Sequence, residues 1–254
     1  MIALVIARNT YREATRDRVL AAMVVAGVVI MLSTLALSPL AVGEGNRLVV
    51  DLGLSAISLL GLFTVLVVGT GLVAKEIDRR TIYNLLSRPL PRPLYLLGKW
   101  GGLTAALWTV AFALGLVLYL LIAARGLGGY AAPLLQGVYL AGLELAVITA
   151  IAVFFSALST PVLSSLYTLG LFAVGQWSDD LREFAGRMPS PLSETLGAVV
   201  NVVPNFGMFN MRALVAEGAT TSPLHLGLAT AYAALYCGCV LALAAAAFES
   251  RDFK

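Results

Sequence analysis

Charged residues are scarce in this chain, and their scarcity excludes an ordinary water-soluble domain. They make up 12% of the 254 residues, whereas 59% of the residues are hydrophobic. Soluble proteins typically contain about 25% charged residues. The alternating pattern of a membrane β-barrel is also missing. Helices therefore remain as the structure that satisfies the backbone inside a bilayer.

Residues for metal or catalytic chemistry are few as well. The single histidine, His225, lies at the outer start of the last apolar run, so neither a histidine metal cluster nor a Ser–His pair is indicated. Cys237 and Cys239 lie in an apolar run, where a helix turns about 200° between them. We expect packed or lipid-facing side chains rather than a metal or redox pair. A net charge of +3 gives no support for nucleic-acid binding.

Long apolar runs dominate the rest of the chain. Each run is close to the roughly 20 residues that a helix needs to cross about 30 Å of hydrocarbon. We predict an all-α integral membrane protein with a single transmembrane domain over residues 1–254. Its six predicted spans cover about residues 19–42, 52–74, 101–124, 134–158, 161–177 and 224–248. The fifth predicted span is the shortest.

Basic residues are unevenly divided between the two sides of these spans. If the amino terminus is cytoplasmic, 12 of the 17 Lys and Arg residues lie on the cytoplasmic side. This distribution fits the positive-inside rule, and it predicts that both termini are cytoplasmic. The five basic residues predicted outside are Arg47, Arg125, Arg182, Arg187 and Arg212.

Residues 1–18 have the pattern of an amphipathic helix on the membrane surface. One stripe is apolar and its neighbour is basic, and anionic lipid suits the basic stripe. The alternative is a solvated helix end that only fixes the topology, and the two interpretations are compatible. The apolar and basic stripes comprise Leu4, Ala7, Tyr11 and Ala14, and Arg8, Arg12 and Arg16.

Residues 178–223 form the one sizeable extracytoplasmic segment that the topology predicts. Its apolar part, 196–203, is followed by Pro204 and polar side chains, which favours a re-entrant or interfacial helix pair. A seventh span would place the basic carboxyl terminus outside. We take four residues of this segment as candidates for an extracytoplasmic gate: Pro204, Asn205, Phe206 and Asn210.

The predicted cytoplasmic loop 75–99 consists of a segment with a helical pattern followed by a proline-rich segment. Residues 76–88 have a helical pattern with an apolar stripe, and prolines at 89, 91 and 93 forbid its continuation. An exposed apolar stripe flanked by charges suits a groove on a partner protein. The alternative is a loop that only obeys the positive-inside rule.

The loop resembles that of the ABC type-2 permeases, a family with six membrane helices. The matching residues are Glu76, Thr81, Leu85, Leu86, Ser87, Pro89, Arg92, Gly98 and Lys99. Residues 10–20 and 204–212 are similar to the same family. The similarity is greatest to the subgroup of permeases for maturation of the copper site of nitrous-oxide reductase.

This resemblance implies that residues 76–88 form a coupling helix that docks on a separate ATP-binding subunit. It also implies export across a bacterial or archaeal cytoplasmic (inner) membrane. Two permease chains, as a homodimer, would assemble with two ATP-binding chains, with room for an extracytoplasmic accessory protein. The residues expected to couple are Glu76, Ile77, Arg80, Thr81, Leu85, Leu86, Ser87 and Arg88.

No phosphate-binding loop is present in the chain itself. Gly98-Lys99-Trp100 lacks the preceding glycine and the hydroxyl residue of the Gly-x-x-x-x-Gly-Lys-Ser/Thr motif. We therefore expect no catalytic residues, no metal and no cofactor on this chain. ATP and Mg²⁺ are expected on the partner subunit.

Glu144 is the one ionisable residue deep within a predicted span. A charge at the bilayer centre costs about 2.5–3.5 kcal/mol on insertion scales, so we expect it to be protonated, paired or next to a polar cavity. It is either part of a translocation path, with Gln136 and Gln176 as further candidates, or a carboxyl hydrogen-bonded to a neighbouring helix. An ATP-independent carrier or channel, and a membrane anchor or assembly factor, are the rival functions.

Overall fold

A computed structural model describes residues 2–40, 44–72, 92–187, 197 and 202–249. The predicted coupling segment 76–88 lies outside the described residues, as do 188–196 and 250–254. Within the described ranges the chain is helical and has no strand, which confirms the all-helical prediction. Five of the described helices are long and apolar enough to cross a membrane: Arg18–Leu37, Gly45–Gly69, Pro93–Ala123, Gly128–Leu158 and Pro223–Phe248.

The helices are numbered here in chain order. They are α1 (Ile2–Arg16), α2 (Arg18–Leu37), α3 (Gly45–Thr64), α4 (Arg92–Ala123), α5 (Ala131–Leu158), α6 (Pro161–Gln176), α7 (Ser178–Gly186), α8 (Arg212–Ala216) and α9 (Pro223–Glu249). A π-helical turn, Val65–Gly69, extends α3, and a 3₁₀ turn, Phe206–Phe209, precedes α8.

The helices do not end where the apolar runs end. Helix α4 begins at Arg92 rather than 101, and α3 begins at Gly45 rather than 52, whereas α2 ends at Leu37 rather than 42. The apolar run marks the part of a helix that tolerates lipid. The helix itself continues as long as its backbone hydrogen bonds and its packing against neighbours stabilise it.

Helix α5 forms the centre of the bundle. Nearly all its residues from Leu134 to Val153 are buried, and α3, α4, α6 and α9 pack around it. A helix that is apolar on every side needs such surroundings. Any polar group on α5 must therefore find its partner inside the protein.

The long helices run up and down in the bundle, so that both described ends of the chain lie together. Close pairs fix the directions: Gly45–Ser38, Gly53–Leu118, Gly69–Leu103, Gly115–Val138 and Tyr139–Thr230. Ile6 of α1 packs on Gly98 near the start of α4, and Phe248 of α9 stacks on Tyr95 with ring centroids 6.4 Å apart. The amino-terminal helix and the end of α9 are thus at the same end of the bundle.

Helix α6 is shorter than a bilayer-crossing helix. Its 16 residues extend about 24 Å, against about 30 Å of hydrocarbon. It runs antiparallel to α5, because Ser164 Oγ donates to the Phe155 carbonyl at 2.8 Å and Gln176 reaches Glu144. Glu144 is the fourteenth residue of α5, so α6 ends about 20 Å short of the first residue of α5.

Residues 202–216 fill the space that α6 leaves. The Tyr130 hydroxyl, just before α5, is 3.4 Å from the Ala216 carbonyl, and Val215 packs beside Gly137. Phe206 is buried against the end of α6. Residues 203–206, 209, 215 and 216 of this stretch are buried, so the stretch enters the bundle as short helical pieces that protein largely covers.

Two glycines let α1 approach α4 closely. A Cβ at Gly102 would lie 2.4 Å from the Ala7 carbonyl oxygen, and a Cβ at Gly98 would lie 2.7 Å from the Ile6 side chain. Small residues four apart on one helix face permit this backbone contact. The adjacent Gly101 has open space at its Cβ position.

Replacing Gly102 by Val should therefore weaken the α1–α4 contact and destabilise the protein by about 1–3 kcal/mol, because the new side chain meets backbone that cannot yield. Gly101→Val is the matched control and should leave the melting temperature of the detergent-solubilised protein nearly unchanged. Equal melting temperatures for the two variants would contradict the packing.

Candidate functional site

A buried carboxyl group lies at the centre of the bundle. Glu144 is 4% exposed and accepts two hydrogen bonds from other helices. Ser58 Oγ of α3 donates to Oε2 at 3.0 Å, and Gln176 Nε2 of α6 donates to Oε1 at 2.8 Å. Both carboxyl oxygens are thus bound, as a polar group in an apolar interior requires.

Arg212 gives this carboxyl group a partner of opposite charge. Its Nη2 atom lies 4.0 Å from Glu144 Oε2, and its Nη1 atom donates to Ser55 Oγ at 3.3 Å. The arginine side chain is 24% exposed and the glutamate side chain 5%, so the pair is only partly accessible. We name Ser55, Ser58, Glu144, Gln176 and Arg212 the central polar cluster.

Four different elements bring the central polar cluster together. Ser55 and Ser58 are three residues apart on α3 and therefore share a face. Gln176 is the last residue of α6, and Arg212 is the first residue of α8. The cluster thus connects α3 and α5 to the end of α6 and to the start of α8.

Asn205 and the 3₁₀ turn Phe206–Phe209, together named the outer turn for their position in the predicted topology, pack on α6, α7 and α9. The Phe206 and Phe172 rings are in contact, with centroids 5.3 Å apart and a tilt of 45°, and Gly175 leaves the space that the Phe206 ring needs. The Asn205 amide N–H donates to the Tyr232 hydroxyl at 2.8 Å, and its Nδ2 atom donates to Asp179 Oδ1 at 2.8 Å. The backbone of this turn is therefore fixed by specific partners.

The proposed gate residues differ in their surroundings. Pro204, Asn205 and Phe206 are buried, and Asn210 is exposed. His225, in the first turn of α9, lies next to the same stretch, and its Nε2 atom is 3.0 Å from the Met208 carbonyl oxygen. Three of the four candidates thus contact the helix bundle, whereas Asn210 faces outward.

Gln136 and Gln176, the two further candidates for a translocation path, have different partners in the structure. Gln176 binds Glu144, whereas Gln136 Oε1 accepts a hydrogen bond from the Thr221 N–H at 2.8 Å. Gln136 lies eight residues, or about 12 Å, from Glu144 along α5. Arg212, which the topology predicts among the exterior charges, is a partner of Glu144 that the charge pattern does not indicate.

The carboxyl-terminal end of α3 departs from regular α-helix. Val65–Gly69 forms a π-helical turn, and Ser156 Oγ of α5 donates to the Thr70 carbonyl at 2.6 Å just beyond it. A π turn leaves a local irregularity that often accompanies function. This end of α3 leads into residues 73–91, which hold the predicted coupling segment.

The described residues offer no group of His, Cys, Asp and Glu that would hold a metal ion. Cys237 is buried and Cys239 exposed, and both are free thiols. The two thiols therefore face different surroundings, as the helical spacing predicted.

The long apolar helices of the described ranges, which enclose the carboxyl group of Glu144, define a multi-pass helical membrane protein. A family model described as ABC-2 family transporter protein matches residues 4–252, so the chain belongs to the ABC-2 transporter family. Proteins of this family are membrane transport subunits, and the family implies association with an ATP-binding subunit. No curated protein matches the chain. Similarity to the copper-maturation subgroup stays a prediction.

The hydrogen bond between Glu144 and Gln176 should appear as a coupling free energy. In a double-mutant cycle, Glu144→Leu and Gln176→Leu should couple by about 1 kcal/mol, because each change removes one partner of the same buried bond. Glu144→Leu and Gln136→Leu should be additive within about 0.5 kcal/mol. Unfolding in mixed micelles measures both cycles, and equal coupling in the two would contradict the cluster.

Proposed function

We propose that this chain is the permease subunit of an ABC exporter, driven by ATP hydrolysis on a separate subunit. The family match over residues 4–252 carries this proposal. Two copies of the chain would assemble with two ATP-binding subunits, which bind ATP and Mg²⁺. Export, the homodimer and an extracytoplasmic accessory protein follow from the resemblance of the loop and of the 204–212 stretch to ABC type-2 permeases.

The proposed topology has six crossings and cytoplasmic termini. The 12 to 5 division of basic residues supports it. The position of α1 and of the end of α9 at one end of the bundle supports an even number of crossings. In this topology α6 and residues 202–216 together form the fifth crossing.

The cytoplasmic loop is the proposed point where force enters. Its segment 76–88 would dock on the ATP-binding subunit through the apolar stripe, and its motion would pass directly into α3 and α4. On the α3 side the π-helical turn Val65–Gly69 is an irregular element close to this loop. A turn of this kind suits a hinge.

Adding charge to the stripe should abolish assembly. In Leu85→Asp/Leu86→Asp, two carboxylates would have to be buried in the docking groove, so the ATP-binding subunit should no longer co-purify. Tyr83→Asp/Asn84→Asp is the matched control, because it adds the same charges off the stripe, and it should retain the partner. Retained assembly in the first variant would refute the coupling role.

The central polar cluster is the proposed link from α3 to the outer segment. Ser55 and Ser58 lie about two to three turns above the π-helical turn and hold Arg212 and Glu144. A shift of α3 would therefore pull on α8 and on the outer turn with the gate candidates. In this view Glu144 and Gln176 transmit motion beside the path, and Gln136 holds Thr221 at the outer end.

Removing the Ser55 and Ser58 hydroxyls should make the structure of residues 202–216 insensitive to ATP binding. We expect trapping of the assembled complex with ATP and vanadate to change hydrogen exchange in residues 202–216. In Ser55→Ala/Ser58→Ala this change should be strongly reduced, while the ATP-binding subunit stays bound. The control Ser33→Ala/Ser165→Ala removes hydroxyls that bond only their own helix. An undiminished response in the first variant would argue against the link.

A further inference from the structure

A basic cavity lies between α1 and the first turns of α4, at the end of the bundle where both described chain ends meet. Its volume is about 350 Å³, which is within the range of small-ligand sites. Its polar lining comes from both helices and comprises Arg8, Asn9, Thr10, Arg12, Tyr95 and Lys99. None of these side chains is acidic.

The arginines of the cavity are available for a ligand. Arg8 and Arg12 lie four residues apart and therefore share one face of α1. Both are exposed, and the described part of the chain gives neither an ion pair. Lys99, which is 4% exposed and has its Nζ atom 5.9 Å from the centroid of the Tyr95 ring, also lines the cavity.

The buried hydroxyl group of Thr10 is a second, independent indication that the cavity binds a ligand. Thr10 is 1% exposed and lines the cavity, yet its Oγ1 atom has no hydrogen-bond partner among the described residues. An unsatisfied buried hydroxyl costs about 1–3 kcal/mol. A ligand that carries hydrogen-bond acceptors would relieve this cost, and the surrounding charge requires that ligand to be an anion.

We propose that this cavity binds the phosphate group of an acidic phospholipid. Arg8 and Arg12 would form charge-assisted hydrogen bonds with the phosphate oxygens, and Thr10 would donate a third bond. Val5, which is 66% exposed, and Ile6 border the cavity and offer apolar contact to the lipid's glycerol and upper acyl region. The site goes beyond the proposed transport function and would anchor α1 to the cytoplasmic leaflet.

Binding of short-chain lipids to the purified full-length chain tests the proposal. The probes are dioctanoyl phosphatidylglycerol, dioctanoyl phosphatidylcholine and inorganic phosphate, measured by thermophoresis in neutral detergent. We expect phosphatidylglycerol to bind more tightly than either of the others. Arg8→Gln/Arg12→Gln should weaken its binding about tenfold or more, and Thr10→Val about fivefold.

Arg16→Gln/Arg18→Gln is the matched control, because it removes the same charge from the same region outside the cavity. Its affinity for phosphatidylglycerol should stay within about twofold of the wild type. Equal losses in the two arginine pairs would overturn the site in favour of general surface attraction. Phosphatidylcholine or inorganic phosphate binding as tightly as phosphatidylglycerol would overturn the lipid assignment. If the arginine variant fails to fold, unchanged affinity in Thr10→Val refutes the site.

Discussion

The carboxyl group of Glu144 must be satisfied in the middle of an apolar bundle, and much of the structure around it meets that constraint. An unpaired buried charge costs several kcal/mol. Ser58 and Gln176 bind both carboxyl oxygens, and Arg212 brings the opposite charge. Because these partners come from α3, α6 and α8, one polar group determines where three separate elements converge on α5.

The early end of α6 is the clearest consequence. A helix that stops inside the bundle leaves carbonyl groups that need partners, and such an end is tolerated at membrane depth only where protein covers it. The outer turn at Phe206 provides this cover, and Arg212 follows it directly. The same arrangement joins residues 202–216 to α3, the helix that leads into residues 73–91, because Arg212 donates a hydrogen bond to Ser55.

In the function proposed for this ABC-2 family member, the connection between α3 and residues 202–216 transmits motion. In the proposed topology, motion from an ATP-binding subunit enters at the cytoplasmic loop, whereas the gate candidates Pro204, Asn205 and Phe206 lie beside the end of α6, near the middle of the bundle. Helix α3 has the π-helical turn at one end and two serines of the central polar cluster in its middle, and we propose that it carries motion from the loop to this cluster.

The sequence by itself determined the helical class and the approximate position of each apolar helix, because the length and hydrophobicity of a run are local properties. It also marked Glu144 and Gln176 as unusual, since a polar side chain in an apolar run is visible without coordinates. Only the tertiary structure distinguished Gln176 from Gln136 and brought Arg212 to Glu144. Those choices depend on how helices distant in sequence pack side by side, and no local pattern encodes that packing.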